Sequence, residues 1–389
     1  MSEIPDAFEF DYEGSTLVYG RGRIDHLGDR LAEYGLDRAL VVTGRNVGAN
    51  PDVMGPVSAG LGDRLLGVFD ETTPEKLGET AFEGVKRMRR EEPDVLVGVG
   101  GGSSLDVARQ MSVLAADGRS LADYRAAARE GTLEPPDPDG PLTPVVVVPT
   151  TFAGADVSSG GSIEILPPAE SPTGQPVRTS GAVTPEAMVY DPDLFETTPM
   201  AALSGSAMNG FNKGVETLYS RSATPITDAT AIRGLRALHD ALGRLPDPEA
   251  IERAVVGIVL VQFERRISLV HAFGHGFSRR YDLQQGVVHA VVVPHALEYL
   301  FERVDGRRAL FAEAFGIDPT ERPIAEGVVE EVTAVRDALG LPSRLRELDP
   351  VRREDLPAIA RATHDDPCLD DAPLEPTVDE LEAVLAAAW

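Results

Sequence analysis

Three glycines, Gly100, Gly101 and Gly102, with Ser103 next and Asp106 a turn further on, follow the apolar run Val95-Leu96-Val97 and open a stretch of helical period. A strand, a glycine turn and a helix start form a cradle for phosphate. Glycine lets the backbone approach an anion closely, and the first N–H groups of the helix have no partner inside it. Gly100, Gly101, Gly102, Ser103 and Asp106 are therefore candidate contacts to the pyrophosphate of a dinucleotide; a turn serving packing alone is the competing reading. The segment Pro149-Thr150-Thr151-Phe152-Ala153-Gly154 directly follows a second apolar run, 145–148. This places Thr150, Thr151 and Phe152 at the carboxyl end of a strand, where open α/β sheets bind ligands. Gly44 and Arg45 stand at the end of a third run, 39–43. A carboxylate there would accept hydrogen bonds from ribose hydroxyls, whereas a guanidinium suits a 2′-phosphate, so the expected cofactor is NADP, with NAD the alternative.

The elements that must position these residues change character along the chain. Strand patterns at 15–19, 39–43, 65–69, 95–99 and 145–148 alternate with amphipathic helices near 25–34, 75–91 and 103–116. That alternation predicts an α/β domain over residues 1–192, a parallel sheet with helices on both faces. From 193 to 389 nearly every segment has helical period, as at 226–245, 250–260, 325–339 and 378–388, which predicts an all-α second domain. Segments 131–144 and 167–179, rich in Pro, Asp and Gly, read as loops.

Composition excludes several partners. A chain of 389 residues is long enough for two domains with separate cores. Its net charge of −27 would repel nucleic acid and anionic lipid. Of 36 basic residues only Lys76, Lys86 and Lys213 are lysine. Acid excess with so little lysine suits a halophilic, archaeal cytoplasm; a GC-rich genome coding for an ordinary acidic protein is the plainer account. Cys368 is the single cysteine, so no intramolecular disulfide or multi-cysteine metal site is expected. No signal pattern opens the chain and no apolar run reaches membrane-spanning length, so a cytoplasmic protein is expected.

Gly100-Gly101-Gly102-Ser103 with Asp106, the Pro149-Thr150-Thr151 turn and the His271…His275…Tyr281-Asp282…His295 segment resemble the iron-dependent alcohol dehydrogenase family, which has a dehydroquinate synthase-like fold. The likeness runs from the Val18-Tyr19-Gly20 region to Trp389. Within it, Pro149–Gly154 and the run from Tyr281 to His295 are similar to the maleylacetate reductase branch. The resemblance implies that a divalent metal would be held at the positions of Asn209, Lys213, His271 and Gln285. Two amides and an ammonium cannot stand in for a carboxylate and two imidazoles, so no metal is expected.

Hydride addition to a carbonyl builds negative charge on oxygen, and an ammonium at Lys213 can stabilise that charge and donate the proton. The expectation is a metal-independent, NADP-preferring oxidoreductase acting on a small carbonyl or alcohol. Lys213, His271 and His275 are its catalytic candidates, and Asn209, Gln285 and Arg279 contact the substrate. Arg279 with Arg280 hints at a carboxylate or phosphate on that substrate. The plainer readings make Lys213 a solvated helix residue and His271 and His275 core histidines. His289 and His295 are read as structural, and His26, His239 and His364 as surface residues. Schiff-base chemistry at Lys213 and a catalytically inactive nucleotide-binding homologue stand as rival functions, and a homodimer is allowed.

Overall fold

The structure is a computed structural model that describes residues 14–389. Contacts divide the chain into two compact units, one running to Thr198 and one starting at Pro199.

The first unit is α/β. Its strands are β1 (Thr16–Tyr19), β2 (Ala39–Gly44), β3 (Leu65–Thr72), β4 (Val95–Gly100), β5 (Val145–Pro149), β6 (Gly160–Leu166), β7 (Val177–Ala182) and β8 (Ala187–Tyr190). Its helices are α1 (Leu27–Glu33), α2 (Arg45–Gly48), α3 (Pro51–Leu61), α4 (Gly78–Glu91), α5 (Gly102–Asp117), α6 (Leu121–Glu130) and α7 (Pro192–Glu196). Six strands form one sheet in the order β1-β8-β5-β4-β2-β3, and every pairing in it is parallel. Residues in β4, β5 and β8 are buried throughout, which is why these runs are continuously apolar instead of alternating. The chain moves outward from β2 to β3 and then returns across β2 to β4, so the order reverses between β2 and β4. Ligands of open sheets bind at the carboxyl ends of strands flanking such a reversal. Gly44 ends β2 and Gly100 ends β4.

Three features differ from the sequence expectation. β7, Val177–Ala182, which overlaps the end of the expected 167–179 loop, instead pairs antiparallel with β6, a strand that was not expected either. β8 was not anticipated; it is a four-residue strand inserted between β5 and β1. Helices α3 and α6 were also not expected. α3 starts at an Asn50 cap followed by Pro51, and α6 starts at a reciprocal Ser120–Asp123 capping box.

The second unit is helical: α8 (Met200–Tyr219), α9 (Pro225–Leu242), α10 (Pro248–Gln262), α11 (Leu269–Ser278), α12 (Gln285–Arg303), α13 (Arg308–Phe315), α14 (Ile324–Ala338), α15 (Leu356–His364) and α16 (Val378–Ala387). α8 runs through its centre, touching α9, α10, α11 and α12, and is buried from Leu203 to Met208 and from Gly210 to Tyr219. It approaches α12 at backbone distance, because a Cβ on Gly286 would lie 1.7 Å from the Gly205 carbonyl oxygen. Among the described residues no helix is long and apolar enough to cross a membrane.

Candidate active site

In the α/β unit, parallel register sets Gly100 beside Pro149, and the Thr150 N–H donates to the Gly100 carbonyl at 3.0 Å. The glycine turn and the Pro149-Thr150-Thr151 turn therefore leave the sheet side by side. Gly100 takes φ +130°, a conformation closed to most L side chains. Gly101 caps α5 without a side chain, which leaves the helix's first N–H groups to an anion. A cavity of about 390 Å³ opens here, lined by Gly44, Arg45, Asp70, Glu71, Gly101 and Ser103 among others. Its floor is braced by the Thr72 and Ser104 hydroxyls, 2.8 Å apart.

Two residues expected at the cofactor face the interior instead. The Phe152 ring is fully buried, stacked 5.2 Å from Phe195, because the strand end turns it into the core. The buried Asp106 carboxylate is tied to Lys76 at 2.6 Å and to Arg109 at 3.4 Å, with the Gly161 backbone packed against it. Sequence alone could not show that Lys76, 30 residues away, supplies the countercharge.

In the helical unit, the chemistry gathers around α8. Lys213 is only 7% exposed, which removes the reading of a solvated helix residue. Its Nζ donates to Gln262 Oε1, at the end of α10, at 3.2 Å. One turn along α8, the fully buried Glu216 accepts the backbone N–H groups of Ser268, Val270 and His271 at 3.0, 2.7 and 3.0 Å. Its other oxygen meets His271 Nδ1. The His271 ring lies 4.5 Å from the His289 ring on α12 and 6.5 Å from that of His275. Burial, reinforced by the Lys213 charge, holds His271 well below the usual imidazole range. Burial likewise holds His289 down and pushes Glu216 up to about 7. Gln285 lies against α11 at Gly274. The Asn209 carbonyl oxygen and His271 Nε2 are buried with no protein hydrogen-bond partner, as are both nitrogens of His289.

His275 stands slightly apart, half-buried, with Nδ1 3.1 Å from the Asp366 carboxylate and 3.7 Å from Cys368 Sγ. Arg279, expected to meet the substrate, is instead paired with Asp366 at 3.3 Å, and Arg280 with Asp355. Buried carboxylates near the histidine helix claim these guanidiniums. Glu216, Gln262 and Asp366 were missed by sequence reasoning. Glu216 had a legible signal, being an acid in an otherwise small and apolar helix one turn from Lys213; the other two are brought in only by tertiary packing.

The chemistry of the donor set does not fit a divalent cation at Asn209, Lys213, His271 and Gln285. Two of the four are neutral amides, one is an ammonium that offers no lone pair, and only His271 presents an imidazole. Among the described residues, His275, Asp366 and Cys368 are the one trio of metal-ligating side chains within mutual reach, and the Arg279 guanidinium already occupies the Asp366 carboxylate.

A parallel sheet reversing at a glycine cradle, followed by an all-helical unit with a polar cluster on its central helix, defines a dehydrogenase-like class. The chain belongs to the iron-containing alcohol dehydrogenase family: residues 14–192 match iron-containing alcohol dehydrogenase and residues 204–389 the C-terminal region of the Fe-containing alcohol dehydrogenase family. It is 27% identical to the NAD-dependent methanol dehydrogenase of Bacillus methanolicus, covering 95% of this chain and 97% of that protein. It is 29% identical to the maleylacetate reductase of Pseudomonas knackmussii, covering 90% and 89%. The crystal structure of a 1,3-propanediol oxidoreductase superimposes with a TM-score of 0.87 at 24% identity, over 98% of this chain and all of that one. The chain is thus an alcohol dehydrogenase-like enzyme, an oxidoreductase.

Proposed function

We propose that this enzyme interconverts a small aldehyde or ketone and its alcohol with a nicotinamide dinucleotide, without a metal, and that Lys213 supplies the positive charge. The observation that carries this is a buried ammonium, held by Gln262, at a position where the family resemblance implies a metal ligand. A reduced nicotinamide would supply hydride to the carbonyl carbon. The electron pair displaced onto oxygen needs a charge nearby, and an ammonium in a dry site stabilises it without reorganising. Lys213 then gives its proton to that oxygen, completing the alcohol. A cytoplasmic, salt-adapted setting accords with the acid excess and the scarcity of lysine.

Arg45 beside Gly44 favours the 2′-phosphate of NADP. Asp70 and Glu71 line the same cavity and favour the ribose hydroxyls of NAD, the cofactor in the name of the Bacillus methanolicus relative.

The test is Lys213→Met, assayed with propanal and with succinic semialdehyde on protein whose iron and zinc content is measured. Fold and nucleotide binding are expected to persist, metal to be substoichiometric, and the single-turnover hydride step to slow about 10²–10³-fold. Lys213→Arg should also be slow, because guanidinium does not give up its proton. Near-wild-type rates in Lys213→Met, or one tight divalent ion per chain with activity lost to chelator, would overturn the assignment.

A further inference from the structure

We propose that Glu216 is a positioning residue that fixes the tautomer of His271, so that Nε2 is presented as a hydrogen-bond acceptor to the substrate hydroxyl. This rests on the reading of Lys213 given above. The two oxygens of Glu216 divide their duties. Oε1 takes the N–H groups of Ser268, Val270 and His271 at the first turn of α11 and the Tyr219 hydroxyl at 3.3 Å. Oε2 meets His271 Nδ1. A carboxylate that served only to cap α11 would have no need to engage the ring.

The tautomer follows from donor counting. Above pH 7, where Glu216 is ionised, its carboxylate only accepts, so the ring nitrogen facing it must carry the proton and the opposite nitrogen keeps its lone pair. That opposite nitrogen, Nε2, is buried and has no partner in the protein. An unmatched acceptor there is costly to bury unless something completes it. A substrate hydroxyl completes it. The alcohol's O–H donates to Nε2 while its oxygen accepts from Lys213, so the site holds an alcohol by both ends of its hydroxyl and a carbonyl by one.

Glu216→Gln separates positioning from capping. The amide oxygen must face the backbone N–H groups it inherits, which leaves the NH₂ facing Nδ1 and forces the His271 proton onto Nε2. The readout is the ¹⁵N shifts of histidine-labelled full-length protein, with His271 assigned from a His271→Gln sample. At pH 8.5 the wild type should show Nδ1–H with Nε2 unprotonated, and Glu216→Gln the reverse, with the melting temperature within a few degrees and NADPH affinity within about twofold of wild type. Turnover of the aldehyde that the wild type accepts should then fall roughly 10²-fold in kcat, with KM little changed. An Nε2–H tautomer in the wild type, or an unaltered tautomer in a folded Glu216→Gln, would sink the proposal. If Glu216→Gln does not fold, the wild-type spectrum still decides. The tautomer is read without turnover, so failure of Lys213→Met to slow the enzyme would strike the assignment of Lys213 and leave this measurement standing.

Discussion

Lys213 shows how one side chain can take a different role once its surroundings are dry. In water an ammonium is a solvated charge; on a helix buried along its length it is a fixed one, and the Gln262 carbonyl offsets part of the cost of desolvating it. The same logic separates Arg45 from Arg109. Arg109 is fully buried and committed to Asp106 and to the Asp156 carbonyl, whereas Arg45 is exposed on the cavity wall. Arg45→Ala should therefore weaken NADPH by about tenfold, a loss near 1.4 kcal/mol, and leave NADH unchanged. Fluorescence titration of both nucleotides measures this, and tighter NADH binding in the wild type would assign the wall to Asp70 and Glu71.

At the scale of elements, α8 and α12 owe their register to two glycines. A methyl on Gly286 would meet the Gly205 carbonyl, which is backbone and cannot swing aside. Gly286→Ala is expected to cost at least about 2 kcal/mol and to lower the melting temperature by several degrees. α12 also carries His289 and Gln285, so the shift should reduce activity in whatever fraction stays folded. Calorimetry together with the aldehyde assay checks both, and a neutral substitution would mean that the two helices have slack between them. His289 shows a related close fit, since a Cβ on Gly274 would fall 2.3 Å from its Nε2.

For the whole molecule, a net charge of −27 means that carboxylates repel one another throughout the folded surface. Salt shortens the reach of that repulsion from about 10 Å at 0.1 M to about 3 Å at 1 M. The melting temperature should therefore rise steeply as KCl increases from 0.1 to 2 M. A flat profile would favour the plainer account of an acidic protein from a GC-rich genome.

The sequence by itself determined the α/β unit, the helical unit and the glycine cradle, because each rests on local periodicity and on glycine's conformational freedom. The carboxyl-end placement of Gly44, Gly100 and Thr150 followed from the same local signals, and the strand register bears it out. Lys213 and His271 were also legible as candidates, through the family pattern into which they fall. Their partners were not. Gln262 lies 49 residues from Lys213, and Glu216 lies 55 from His271. Asp366 lies 91 residues from His275. Phe152 and Asp106 were misplaced for the same reason: whether a side chain at a strand end or helix start meets a ligand or the core depends on what packs behind it, here Phe195 and Lys76. Long-range packing sets burial, and burial decides whether a lysine is solvated or fixed, whether a histidine is neutral, and which of its nitrogens is left to act.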